Sequence, residues 1–163
     1  MRTRMRQACF CAAVAGGLVV ALAGTALGQS NNEVGNWRLN IAKSKYSPGP
    51  GPKSATTKIE AAGAGVKITV DQVPATGAMV HWEYTANYDG KDNRVTGNNA
   101  DADMIARTRV NPTTVRSVNK KGGKVTTTNT SVVSSDGKTR TVTTTGTNAA
   151  GQTVNNVAFY EKQ

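Results

Sequence analysis

Val66, Ile68 and Val70 alternate with Lys67 and Thr69, so one side of a short extended segment is apolar and the other polar. The same period of two runs through Val80–Tyr88. Val80, Trp82, Tyr84, Ala86 and Tyr88 share one face; His81, Glu83, Thr85 and Asn87 share the other. No segment shows apolar positions at the helical spacing, so little or no helix is predicted. From residue 54 onward, short runs of Val, Thr and Ile are broken by turn signals near Gly63, Ala75, Gly90, Asn98, Pro112, Gly122, Gly137 and Gly151. Eight turns delimit nine strands, and a strand opening at Trp37-Arg38-Leu39 makes about ten. Asp136-Gly137 predicts a two-residue hairpin, because both positions tolerate positive φ. Ser47-Pro48-Gly49-Pro50-Gly51-Pro52 suits neither helix nor inner strand and reads as an extended connection. Residues 29–36 are polar and read as loose.

Residues 125–147 hold ten threonines, which favours strands but supplies little apolar area on either face. Ten antiparallel strands with weakly apolar faces exceed what one open sheet usually manages, and closure removes the exposed edges. The expected fold is therefore all-β: a closed up-and-down antiparallel barrel. Its first residues stand apart. Arg2, Arg4 and Arg6 precede an apolar, small-residue run ending Ala26-Leu27-Gly28, the three-part pattern of a secretory signal peptide. Residues 1–28 are read as removed and 29–163 as a single exported domain, periplasmic or extracellular, with no membrane span. Loss of three arginines lowers the net charge from +10 to +7. Cys9 and Cys11 leave with the leader, so the domain has neither disulfide nor thiolate ligand.

Gly35-Asn36-Trp37 resembles the Gly-x-Trp that opens the first strand of lipocalins and cytosolic fatty-acid-binding proteins. The chain end Phe159-Tyr160-Glu161-Lys162 is similar to the last strand of the latter. The turns Lys121-Gly122-Gly123-Lys124-Val125 and Asp136-Gly137-Lys138 also look like theirs. This resemblance to the lipocalin and fatty-acid-binding (calycin) group implies a barrel holding a small lipid-like ligand. It also implies that Trp37 closes the barrel base under a basic residue of the last strands. Two features depart from the pattern. The last-strand Arg-x-Tyr that grips a fatty-acid carboxylate is here Ala158 and Tyr160, and the Pro/Gly connection stands where a helical lid would be inserted.

Several residues are candidates for chemistry. Trp82, Tyr84 and Tyr88, with Ile68, offer a wall for an apolar ligand. Tyr160 with Arg107, Arg109 or Arg116 would offer a polar end, since guanidinium forks suit carboxylate and phosphate. An ordinary solvated face is the competing and preferred reading for those arginines. Trp37 is read as packing, covered by Arg38 or Lys162. His81 and Glu83 share a face, but one opposite the aromatics and without a nucleophile motif, so no catalytic residue is assigned. Asn98, Asn99, Asp101 and Asp103, with Asp89 and Asp92, supply hard oxygens but lack calcium-loop spacing. One histidine and no mature cysteine argue against zinc or iron. Neither metal nor cofactor is expected. Lys120, Lys121, Lys124, Lys138 and Arg140 gather at the last hairpins without interleaved aromatics, so nucleic acid is not the expected partner.

These observations predict a monomeric, non-enzymatic binding protein for a small hydrophobic or amphiphilic molecule. The alternative is an interaction module with a filled barrel that attracts acidic envelope polymers through its basic turns.

Overall fold

The computed structural model describes residues 31–163, so the leader reading falls outside the described residues. Eleven strands follow one another: β1 (Gly35–Lys45), β2 (Ser54–Ala62), β3 (Gly65–Val73), β4 (Val80–Ala86), β5 (Asp89–Arg94), β6 (Thr96–Gly97), β7 (Met104–Asn111), β8 (Thr114–Lys121), β9 (Lys124–Val133), β10 (Thr139–Thr147) and β11 (Thr153–Lys162). No helix occurs among the described residues. All strands belong to one antiparallel sheet with the order β5-β7-β8-β9-β10-β11-β1-β2-β3-β4-β6. Strands β5 and β6 are separated by Val95 alone, and they form the two edges of that order. One bent strand thus nearly closes the barrel: its first half pairs with β7 and its second half returns to β4 at Trp82–Gly97 and Glu83–Thr96. With β5 and β6 taken as one strand, the meander has the ten strands that the turn spacing predicts.

Three local expectations are corrected. The reversal placed at Gly90 occurs at Asn87–Tyr88 instead; Gly90 lies inside β5, where the register slips between Asp89 and Asp92. The hairpin at Asp136-Gly137 is longer than two residues. Ser134 N–H donates to the Thr139 carbonyl, and Gly137 N–H donates back to the Ser134 carbonyl. The Ser134 hydroxyl also binds the Asp136 carboxylate and receives the Thr139 N–H, which favours the wider loop. Finally, the described part of the supposedly loose segment is tied down. Val34 N–H donates to Asn31, and Glu33 is only 3% exposed.

Alternation in each strand sends one side chain in two inward. The inward set at one end is apolar: Trp37, Ile59, Val66, Ile68, Val70, Tyr84, Ala86, Ile105 and Val133 form the main core. A smaller cluster of Leu39, Ala55 and Ala158 sits beneath Tyr46, Val142 and Tyr160. Inward positions of β8 and β9 are different. Ser117, Asn119, Thr127 and Ser131 are buried polar residues. Few large apolar side chains are available, so the interior is not filled.

Candidate functional site: a lined cavity above a buried ion pair

A meander alternates its turns between two ends. Residues 31–34, the 63–64 turn, the 87–88 corner and the 112–113 and 134–138 turns lie at the base. The opposite end carries the connections 46–53, 74–79, 98–103, 122–123 and 148–152. A cavity of about 690 Å³ opens between loops of that second end, with Pro48–Pro52, Pro74–Thr76 and Asn98–Asp101 at its rim. This volume falls in the range of pockets that hold small molecules. The Pro/Gly connection predicted as a surface link therefore forms part of the mouth.

The base is built around one ion pair. Arg107, on β7, places Nη2 at 2.8 and 2.9 Å from the two carboxylate oxygens of Glu33, and its Nη1 donates to the Tyr84 hydroxyl at 3.0 Å. The Tyr88 hydroxyl donates to Glu33 Oε2, and the Asn31 side-chain amide donates to that hydroxyl. Burial disfavours the Arg107 charge, but Tyr84 and Glu33 more than offset it, so the guanidinium is held firmly protonated. Burial, followed by the nearby Glu33 charge, pushes the Tyr88 hydroxyl up. The preference for a solvated Arg107 is thus overturned, because the parity it shares with Ile105 carries both side chains inside.

Trp37 stands beside this pair, 1% exposed, with Nε1 donating to the Glu33 carbonyl at 2.8 Å. Lys162 Nζ lies 5.1 Å from the centre of the ring, as predicted for one of the two candidate covers. Gly35 permits this: a Cβ there would fall 2.3 Å from the Lys162 side chain. The second cover is not Arg38. Arg140, on β10, sits 5.5 Å from the Trp37 ring and 4.7 Å from the Tyr160 ring.

Arg140 also corrects the picture of a basic hairpin cluster. It is 7% exposed and borders the cavity, while Lys138 and Lys120, Lys121 and Lys124 belong to opposite ends of the barrel. No carboxylate among the described residues forms an ion pair with Arg140, and its Nε has no hydrogen-bond partner among them. Burial pulls its pKa down, with Tyr160 opposing. The Tyr160 hydroxyl is pushed up by burial, with Arg140 opposing that shift.

Of the ligand-binding candidates, Ile68, Trp82, Tyr84, Arg107 and Tyr160 line the cavity together. Trp82 and Tyr84 stack, with ring centres 5.9 Å apart and planes 14° apart. Tyr88 lies beyond the end of β4 and packs at the base. Arg109 stacks on it from 3.8 Å. Arg116 is exposed on β8, and neither Tyr88, Arg109 nor Arg116 lines the cavity. His81 and Glu83 point away from the interior and serve separate surface pairs, His81 with Asp71 and Glu83 with Lys67. Among the described residues, no group of three or more His, Cys, Asp or Glu is arranged to hold a metal ion.

Sequence reasoning missed two central residues, Glu33 and Arg140. For Arg140 a signal existed: Arg140, Val142 and Thr144 share one parity of β10, and that parity faces inward. Glu33 carried no such signal, since it precedes the first strand. The chain matches no family model, and no curated protein and no solved structure is significantly similar to it.

Proposed function

We propose that this protein is an exported, lipocalin-like, non-enzymatic carrier that encloses a small amphiphilic molecule bearing an acidic end. The reading is carried by Arg140, a buried guanidinium bordering a large cavity without a carboxylate of its own. A buried charge without a paired countercharge is costly, and a ligand anion would supply that countercharge. Arg107 has the same chemistry but is already neutralised by Glu33, which leaves Arg140 as the free anchor. Tyr160 stands next to it as a second polar contact, and Trp82, Tyr84 and Ile68 supply the apolar wall above. Export rests on the Arg-rich start and apolar run of residues 1–28. No described helix is long and apolar enough to cross a membrane.

Arg140→Met tests the reading in two ways at once. Arg140 has no carboxylate in ion-pair contact, only the Trp37 and Tyr160 rings, so its loss costs folding no more than about 1–2 kcal/mol, while affinity for a carboxylate-bearing amphiphile falls about ten-fold or more, the worth of charge-assisted hydrogen bonds. Calorimetric titration with palmitate and thermal unfolding of the same samples give both quantities. A variant that binds as well as the parent refutes the anchor.

A further inference from the structure

The cavity has two unlike walls. On one side Trp82 and Tyr84 present a stacked aromatic surface from β4. On the other, β8 and β9 present Asn119, Asn129 and Ser131. Asn119 Oδ1, Asn129 Oδ1 and Ser131 Oγ are buried and have no hydrogen-bond partner among the described residues. Asn119 and Ser131 are each only 8% exposed. In Asn119, Nδ2 donates to Thr127 Oγ1 at 2.9 Å, which occupies that donor and leaves the carbonyl oxygen over.

An alkyl chain leaves such oxygens unpaired, at the full desolvation cost of each. Two of the three atoms are carbonyl oxygens and accept only, so the complement they call for is a set of donors. The terminal amide torsion of Asn is broad, so small rotations turn these oxygens toward a ligand. A flat ring fits the opposite wall, where it extends the stack of Trp82 on Tyr84. Resting on the carrier reading above, we infer that the ligand body is a hydroxylated aromatic ring system rather than a fatty acyl chain. Its ring face lies against Trp82, and its hydroxyl groups donate to Asn119 and Asn129. The acidic end common to both ligand types goes to Arg140.

The test compares two carboxylates of equal carbon number, chlorogenate with its dihydroxyphenyl ring and palmitate with none, by calorimetric titration of mature protein. Wild type binds chlorogenate at least about ten-fold more tightly, as one satisfied buried acceptor requires. Asn119→Leu combined with Asn129→Leu reverses the preference by making that wall apolar with the same number of side-chain heavy atoms. Retained circular dichroism and palmitate binding show that this variant is folded. Palmitate binding that is tighter than chlorogenate binding, and weakened by Arg140→Met, would overturn the ring inference while leaving the carrier intact. Binding of neither molecule overturns both. A preference for chlorogenate that persists unchanged in the double variant overturns the assigned contacts.

Discussion

Replacing Glu33 by Gln asks how much of the fold depends on a residue that precedes every strand. The change keeps size and shape but removes the countercharge of Arg107. Two charge-assisted hydrogen bonds at 2.8 and 2.9 Å give way to at most one amide carbonyl acceptor. Arg107 is 5% exposed and cannot shed its proton to escape the loss. Breaking a buried pair from one side costs about 3–5 kcal/mol, because the remaining charge stays desolvated. For a domain of this size that corresponds to a drop of roughly 10–20 °C in melting temperature. Urea unfolding followed by tryptophan emission measures the change, since Trp37 Nε1 bonds to the Glu33 backbone and reports on the base directly. The pairwise term is isolated by adding Arg107→Met. With both charges gone, the double variant is more stable than Glu33→Gln alone. A loss below about 1 kcal/mol, the level of an exposed pair, refutes the reasoning. So does a double variant whose loss equals the sum of the two single losses.

The other expectations concern the seam and the tyrosines. Gly97→Ala places a Cβ 2.3 Å from the His81 carbonyl oxygen at a backbone φ of +92, where β6 returns to β4. It costs about 1–3 kcal/mol in strain alone. Faster hydrogen exchange at the Asn98 amide, which donates to His81, localises the damage; unchanged exchange there argues against closure through β6. Burial raises the hydroxyls of Tyr46, Tyr88 and Tyr160, Tyr46 to about 12. Groups whose folded pKa is raised stabilise the fold fully below their unfolded pKa of about 10, and that stabilisation is lost as pH rises through the folded values. Stability therefore declines between about pH 10 and 12. Ultraviolet titration shows phenolate still forming above pH 10, and ionisation complete by pH 10 is the contrary result.

Much of the architecture was legible locally. Alternation in Val66–Val70 and Val80–Ala86 gives the inward and outward faces, because successive side chains of a strand oppose each other whatever it pairs with. Turn residues at Gly63, Pro112, Gly122 and Gly151 break the runs because their backbone preferences act within a few residues. The order of the sheet then follows from short connections, which place each strand beside its predecessor. That much the chain determines by itself, including a thin apolar core and a threonine-rich sector with little to bury.

What the linear order could not reveal is which charges meet. Glu33 and Arg107 lie 74 positions apart, and only closure of the barrel brings them to one base. Arg140 looks like one more basic residue near a lysine-rich turn, and its burial against Trp37 and Tyr160 depends on β10 lying between β9 and β11. The bend at Val95, which divides one strand between two neighbours, is likewise a property of closure rather than of local preference. Periodicity assigns each side chain to a face. The curvature of the whole sheet decides whether that face encloses a core, an ion pair or a cavity, because it sets the distance to side chains on remote strands.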